Sequence, residues 1–264
     1  MQIISSKENS FIKHIKKLKD KKYRDLNNEF VIEGIKLLEE AINEKVEISK
    51  IIICEDCEKT SDIPKNLMYE IAKYDCIYVT KNVFKILTDV VNPQGVIAVI
   101  KKAEKIHEIK YDEDIIVALD DIQDPGNLGT ILRTVDSLGL SQILISKGTA
   151  DCYNPKVIRS TMGAIFRVKI IECEDLIEVF KQAKKHKFKT VITSLQASKN
   201  IYEIDYNKKI IIIGNEANGV SKNVEEEADE KVIIPMFGKT ESLNASVATA
   251  VILYEYVRQK KLEN

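Results

Sequence analysis

The chain lacks several features that would assign it to common protein classes. None of its apolar runs approaches the 18–20 residues that a membrane-spanning helix needs. Its start, MQIISSKENSFIKHIKKLKD, has neither an apolar stretch nor a small-residue cleavage site, so we do not expect export. Its five cysteines follow no regular spacing in 264 residues. We therefore expect no disulfide framework and a protein of the reducing cytoplasm.

Side-chain sets for hydrolysis and metal binding are also missing. The three histidines, His14, His107 and His186, are predicted to lie on helix or linker segments, away from the polar loops described below. Cys54 and Cys57 have metal-ligand spacing, but no second pair or nearby histidine completes a set of four ligands. We expect them to be core or loop cysteines, and we expect no metal.

The net charge of −1 conceals a basic N-terminal segment. Between Lys7 and Arg24 only Glu8 and Asp20 oppose the basic residues, which include Lys13, Lys16 and Lys17. Such a surface can bind phosphate groups on a protein that is neutral overall. A solvated helix face has the same composition, so charge alone leaves both interpretations open.

Hydrophobic periodicity predicts two α/β regions joined by a charged linker at residues 101–114, KKAEKIHEIKYDED. The first has a helix capped by Ser10, a strand at Glu29–Gly34 and a layered α/β/α arrangement. The pattern of the second region predicts a parallel, doubly wound sheet. Its predicted strands are Ile115–Leu119, Gln142–Ile145, Phe166–Ile171, Thr190–Thr193, Ile210–Ile213 and Val232–Ile234, and its predicted helices are Asn127–Leu138, Lys156–Met162, Asp175–Lys185 and Asn244–Lys261.

Three loops at predicted strand ends are rich in Gly, Asn, Ser and Pro, and parallel sheets bind ligands at this edge. The first contains DPGNLG, with Asn127 at an N-cap position and Arg133 further along the helix. The second is GNEANG around Glu216, and the third, GKTESLN, delivers Ser242 and Asn244 to the last helix. An ordinary turn with a surface arginine, and two simple helix caps, would explain the first and third loops equally well.

Two nucleotide-binding fingerprints are absent from these loops. Gly214 and Gly219 have the glycine spacing of a P-loop, but Val220 occupies the lysine position. No GxGxxG follows a strand, which argues against a nicotinamide-dependent oxidoreductase.

Taken in order, DPGNLGTILRTVDSLG, NPKVIRSTMGAIFRV, IIIGNE and IPMFGKTESLNASVATAVILYEYVRQ resemble the SpoU (TrmH-type) family of SPOUT RNA 2′-O-ribose methyltransferases. The resemblance covers about residues 114–260. It departs from the family pattern at Ala217 and Ala245, where most members have glycine and valine. VIEGIKLLEEAI in the first region resembles the L30e-like substrate-binding domain of many members.

The resemblance implies an L30e-like RNA-binding domain at residues 1–105 and a catalytic SPOUT domain at 114–264. It also implies a deep trefoil knot, although knots are otherwise nearly absent from proteins. The implied cofactor is S-adenosylmethionine, the implied assembly a homodimer, and the implied substrate structured RNA, with 23S ribosomal RNA preferred. Transfer RNA methylation and non-catalytic RNA binding on the same fold are the alternatives.

The resemblance also implies site residues. Arg133 helps to deprotonate the 2′-hydroxyl or, as we prefer, clamps a phosphate, because a guanidinium is a poor base. Asn127 holds Arg133 and the ribose, and Glu216 anchors its loop or orients Arg133. The implied sets are Arg133, Asn127, Glu216, Ser242 and Asn244 for catalysis, Thr193, Gly214, Ile234 and Leu243 for the cofactor, and Arg159, Arg258, Lys13, Lys16 and Lys17 for RNA.

Overall fold

A computed structural model describes residues 3–104 and 108–261, so His107 and part of the predicted linker lie outside the described residues. The described residues divide into two compact units. Residues 3–104 and 153–166 form the first unit, and residues 108–152 and 167–261 form the second. No secondary structure interrupts the described residues between the strands that end at Lys101 and begin at Ile115.

The first unit is a five-stranded mixed sheet with helices packed against it. Its strands and helices are β1 (Ile3–Ile4), α1 (Ser10–Lys17), α2 (Lys21–Asn27), β2 (Glu29–Glu33), α3 (Ile35–Asn43), β3 (Ile48–Cys54), α4 (Lys65–Ile71), β4 (Cys76–Val79), α5 (Lys81–Leu87) and β5 (Val96–Lys101). The strand order is β1-β4-β3-β5-β2, with β5 antiparallel to both of its neighbours. Apolar residues of α1 and α5 pack with β3 and β5 in one buried cluster.

Two details of the first helices differ from the sequence prediction. Asn9, not Ser10, caps α1, because its Oδ1 accepts hydrogen bonds from the backbone N–H of Phe11 at 2.9 Å and of Ile12 at 3.4 Å. Helix α2 was not predicted, because it has no apolar periodicity. Its buried residue is Arg24, whose guanidinium donates to the carbonyls of Leu18 at 2.8 Å and Lys19 at 2.7 Å.

Cys54 is buried at the end of β3 and Cys57 lies in the loop that follows, as expected, but the disulfide between them was not predicted. A 3₁₀ turn over Glu58–Asp62 follows, and the two Cα atoms lie 5.5 Å apart, within the range that a disulfide bridges. The Cys-x-x-Cys spacing, which could also bind a metal, thus forms a local disulfide.

The first unit also contains α7 (Pro155–Thr161), which packs on β2. Asn154 caps this helix by accepting from the N–H of Lys156 at 2.9 Å, and Pro155 occupies its first turn, where no N–H is needed. Arg159 therefore lies in the unit that contains Lys13, Lys16 and Lys17.

The second unit confirms the predicted parallel sheet, which has seven strands. Its elements are β6 (Ile115–Asp120), α6 (Pro125–Ser137), β7 (Gln142–Ser146), β8 (Lys169–Cys173), α8 (Leu176–Lys185), β9 (Lys189–Thr193), β10 (Lys199–Asn200), β11 (Lys209–Gly214), α9 (Lys222–Glu227), β12 (Glu230–Ile233) and α10 (Ala245–Lys261). The order β10-β12-β9-β11-β6-β7-β8 is not a simple Rossmann order, because β11 lies between β6 and β9.

Local differences from the prediction follow from turn chemistry. The strand predicted at Phe166–Ile171 begins only at Lys169, because Ala164–Phe166 forms a 3₁₀ turn. Asp124, not Asn127, caps α6, since its carboxylate accepts from the N–H of Asn127 at 2.8 Å. Asn127 is instead buried one turn into the helix, so its side chain is available for tertiary contacts.

Strand register brings the carboxyl ends of the central strands to one edge. Gly214 of β11 pairs with Asp120 of β6, and Val232 of β12 pairs with Thr193 of β9. The three polar loops of the sequence therefore follow strands or precede a helix at the same edge of the sheet.

Among the helices in residues 3–104 and 108–261, none is long and apolar enough to cross a membrane. Within the same ranges, no three His, Cys, Asp or Glu side chains form a group that could hold a metal ion.

Candidate active site at the carboxyl edge of the second sheet

A cavity of about 580 Å³ lies at the carboxyl edge of the second sheet. Its walls come from the ends of β9, β11 and β12 and from the segment that precedes α10. All four predicted cofactor residues line it: Thr193, Gly214, Ile234 and Leu243. Its volume lies in the range of sites for small molecules and cofactors.

Gly214 lets two backbone segments approach each other at the cavity wall. A Cβ atom at this position would lie 2.2 Å from the backbone carbon of Gly219 and 2.2 Å from the nitrogen of Val220. No side chain can occupy that space, so glycine is needed here for close approach rather than for an unusual φ.

Asn215 shapes the loop that follows Gly214. Its side-chain oxygen accepts from the N–H of Ala217 at 3.0 Å and of Asn218 at 3.1 Å, and its amide donates to the carbonyl of Asp121 at 2.8 Å. Gly219 closes the turn with φ +70° and donates to the carbonyl of Asn215 at 2.9 Å. The loop is thus attached to the end of β6 and presents Glu216 at a fixed place.

Glu216 takes part in a hydrogen-bond chain that joins all three polar loops. Its carboxylate accepts from Asn127 Nδ2 at 2.9 Å and from the backbone N–H groups of Gln123 at 3.3 Å and Asp124 at 3.2 Å. Asn127 Oδ1 in turn accepts from Asn244 Nδ2 at 2.9 Å. Residues separated by 89 and 117 positions in the chain therefore meet directly.

These donors determine the charge of Glu216. Partial desolvation of this exposed side chain disfavours the ionised carboxylate, but the hydrogen bonds from Asn127, Gln123 and Asp124 outweigh it and lower the pKa of Glu216 below the ordinary value. The group is consequently a carboxylate at neutral pH, which makes it an anchor that accepts hydrogen bonds and excludes it as a proton donor.

Asn244 has two functions at the start of α10. Its Oδ1 accepts from the N–H of Ser246 at 2.9 Å and from the Ser246 hydroxyl at 2.7 Å, which caps the helix as sequence alone allowed. Its Nδ2 donates to Asn127. Ser242 is exposed and lines the cavity.

Arg133 is not part of this cavity wall. It is exposed on α6 and forms no hydrogen bond or ion pair with any residue that the structure describes. The contacts that the sequence suggested between Arg133 and Asn127 or Glu216 are absent from the described hydrogen bonds, in which Asn127 bonds to Glu216 and Asn244. The guanidinium is therefore available to a ligand.

Sequence reasoning missed two aspartates at the end of β6. The buried Asp120 accepts from the N–H of Ser221 at 2.6 Å, which fixes the far side of the Glu216 loop. Asp121 has a φ of 59° and accepts the side-chain amide of Asn215 through its carbonyl. The pair of acidic residues directly after a buried apolar strand was the available signal.

The cavity suits a flat, cationic ligand. Ile213, Ile234 and Leu243 offer apolar walls, and the backbone groups around Gly214 offer hydrogen bonds. The charged residues among its described lining are Glu216 and Glu241, both acidic, so a phosphate would find no cation there. S-adenosylmethionine, which combines a planar adenine with a positive sulfonium, fits these walls.

The candidate RNA-binding residues lie in both units. Lys13, Lys16 and Lys17 are exposed on α1, where Lys13 pairs with Glu8 at 2.5 Å and Lys17 lies over the ring of Tyr23 at 5.3 Å. Arg258 is exposed on α10 and pairs with Glu255 at 2.9 Å.

Two family models match the chain. Residues 114–254 match the SpoU rRNA Methylase family, and residues 9–98 match the MRM3-like substrate binding domain. The first match covers more than half of the chain.

Individual relatives agree with these models. The chain is 32% identical to the 23S rRNA (guanosine(2553)-2′-O)-methyltransferase RlmP of Bacillus subtilis over 96% of this chain and 98% of that protein. It is 33% identical to the tRNA (guanosine(18)-2′-O)-methyltransferase of Aquifex aeolicus, over 61% of this chain and 78% of the relative. The AdoMet-bound rRNA methyltransferase of Sinorhizobium meliloti superposes with a TM-score of 0.83 at 29% identity and 98% coverage of both chains.

Proposed function

Because this chain belongs to the SpoU family of S-adenosylmethionine-dependent RNA 2′-O-methyltransferases, we propose that its substrate is 23S ribosomal RNA. The site that carries the proposal is the cavity at Gly214 together with the chain Glu216–Asn127–Asn244. The RlmP relative, named for 23S rRNA, matches over nearly its whole length, whereas the named tRNA enzyme matches over 61% of this chain. Ribosomal RNA also agrees with a cytoplasmic location.

In our proposal, Thr193, Gly214, Ile234 and Leu243 hold the cofactor through backbone groups and apolar contact. When bound, S-adenosylmethionine supplies an electrophilic methyl group. The hydrogen-bond chain through Asn127 holds the Glu216 loop against the start of α10, so that the cavity walls keep their spacing. Ser242 and Asn244 border the place of the target nucleotide.

Arg133 orients the RNA in this proposal. Its guanidinium, unpaired within the described chain, binds the phosphate next to the target ribose and stabilises the oxygen as negative charge develops on it. An arginine remains protonated at neutral pH, so a phosphate oxygen or water accepts the hydroxyl proton. Holding the reacting groups in line contributes several kcal/mol to the rate, up to about 7–11 in favourable cases.

A second copy of the chain completes the proposed assembly. Val247, Val251 and Tyr254 follow one face of α10 at helical spacing, and Val247 and Tyr254 are 47% and 56% exposed. An apolar stripe of this kind is typical of a surface that a partner covers. Light scattering at micromolar concentration should give a dimer mass that Tyr254→Asp reduces. A 30 kDa species for the unaltered protein would contradict the homodimer.

The exposed lysines Lys13, Lys16 and Lys17 and the arginines Arg159 and Arg258 are the proposed contacts to RNA phosphates. Each phosphate contact that is lost should weaken binding at low salt and reduce its salt dependence. Arg258 is already paired with Glu255, so we expect its replacement to lower the RNA affinity less than replacement of the other residues does.

The test compares unmodified transcripts of 23S ribosomal RNA and of transfer RNA as acceptors of labelled methyl groups. We expect incorporation into the ribosomal transcript, at a ribose that resists alkaline cleavage. Arg133→Ala should lose incorporation while its cofactor affinity, measured by calorimetry, stays within a few-fold. Methylation of the tRNA alone would refute the ribosomal substrate, and a loss of cofactor affinity in the variant would refute the role of Arg133.

A further inference from the structure

Phe237 is the most exposed large apolar side chain in the described chain, at 99%. It lies in the segment between β12, which ends at Ile233, and α10, which begins at Ala245. Its neighbour Met236 lines the cavity, whereas Phe237 itself does not. The ring is thus held within one residue of the cavity rim and points into solvent.

The residues that follow Phe237 in the chain do not cover its ring. Gly238 has open space around it, and Lys239 and Thr240 are exposed. Burial of a phenylalanine side chain is favourable, so a ligand that enters the neighbouring cavity and covers this fully exposed ring gains free energy from the contact.

The surroundings of the ring favour an RNA base as its ligand. Aromatic side chains bind unstacked RNA bases by stacking, and phosphates pair with nearby cations. Lys239 supplies such a cation, because it forms no ion pair within the part of the chain that the structure describes. The adenine of the cofactor has apolar walls of its own in Ile213, Ile234 and Leu243, so it does not need Phe237.

A second copy of the chain is the less suitable occupant. The apolar stripe that fits a partner lies along α10, whereas Phe237 follows Met236 and is succeeded by glycine and exposed polar residues before that helix begins. An interface core would bury several apolar neighbours around the ring.

We propose that Phe237 stacks on a base of the RNA substrate beside the target ribose, with Lys239 at a neighbouring phosphate. Stacking holds the nucleotide at the cavity rim with its 2′-hydroxyl toward the methyl donor. The proposal rests on the RNA methyl transfer of the proposed function and adds a positioning residue to it.

The experiment compares Phe237→Leu, Phe237→Tyr and Phe237→Trp with the unaltered enzyme on whichever unmodified transcript, 23S or transfer RNA, the latter methylates. Leucine keeps an apolar side chain without the ring, so we expect the KM for RNA to rise roughly 5- to 150-fold, as the loss of one base stack predicts. Tyrosine and tryptophan should retain the KM within a few-fold. Lys239→Gln should raise KM less and should reduce the salt dependence of binding.

Two measurements distinguish an RNA base from the cofactor and from a second copy of the chain as the ligand of Phe237. Calorimetry with S-adenosylmethionine should give the same Kd for Phe237→Leu and the unaltered enzyme, and light scattering should give the same mass. A weakened cofactor Kd, an altered mass or an unchanged KM for Phe237→Leu would each overturn the proposal. Failure of the unaltered enzyme to methylate either transcript would instead contradict the proposed function.

Discussion

Replacing Asn127 by aspartate tests the hydrogen-bond chain that joins the three loops. Asparagine and aspartate have nearly the same shape, but the substitution replaces a donor to Glu216 by a second carboxylate at 2.9 Å. We expect Asn127→Asp to destabilise the second unit at neutral pH more than Asn127→Ala does, and we expect the difference to disappear in acid.

The magnitude follows from the geometry. Two unit charges about 4 Å apart repel by about 4 kcal/mol at the effective dielectric constant of 20 near a protein surface. Glu216 is exposed, so screening by solvent reduces this to roughly 2 kcal/mol. In a domain of this size, that corresponds to a melting temperature about 4–8 °C below that of Asn127→Ala.

The sign of the pH dependence follows from the pKa of Glu216. In the unaltered protein this pKa is lowered from 4.5, so the ionised carboxylate stabilises the fold above that value, and the contribution is lost as the pH falls through the folded-state pKa. In Asn127→Asp, repulsion raises the pKa of one carboxyl of the pair. The deficit is therefore present above the raised pKa and vanishes below it, where the protonated side chain donates again.

Calorimetric unfolding between pH 5 and 8 measures this behaviour. Asn66→Asp is the matched control, because Asn66 is exposed on α4 of the first unit and its replacement adds the same charge. Equal deficits for Asn127→Asp and Asn127→Ala at every pH would show that residue 127 does not face an ionised Glu216.

Two further predictions concern the cavity. Gly214→Ala should abolish binding of S-adenosylmethionine in calorimetry, because its Cβ would lie 2.2 Å from the backbone of Gly219, while Gly238→Ala, with nothing within 4 Å, should bind normally. Equal affinity in the two variants would refute the close approach at Gly214. Glu241→Gln should weaken binding of the cationic S-adenosylmethionine by about two- to fivefold and leave that of uncharged-sulfur S-adenosylhomocysteine unchanged, since only the former gains from the carboxylate. Equal losses for both ligands would contradict that charge effect.

Most strands and helices could be predicted from the sequence, because apolar runs such as Ile210–Ile213 and periodic helices report burial directly. Helix α2 could not, since a buried arginine rather than an apolar face attaches it. The disulfide depends on the turn after β3, which no pattern specified. Asp120, Asp121 and Asp124, the actual N-cap of α6, were missed. In a sequence, an acidic residue after a strand looks the same whether its side chain contacts solvent or accepts from a backbone N–H.

Part of the candidate site could likewise be predicted from the sequence, and part could not. Loop composition indicated that Gly214, Glu216, Ser242 and Asn244 meet at one edge, because parallel strands bring their carboxyl ends together. Pairings within that edge depend on rotamers and on strand order. Sequence therefore could not reveal that Asn127 bonds to Glu216 and Asn244 while Arg133 stays exposed.

The position of β11 between β6 and β9 has a consequence for biosynthesis. During translation β6 and β9 emerge well before the residues that will lie between them, and β12 likewise enters between β9 and the earlier β10. Pairings across such sequence distances form slowly. The growing polypeptide thus has exposed sheet edges until β11 and β12 have left the ribosome, and a chain that stops before Lys209 lacks the central strand on which its methyl-donor cavity is built.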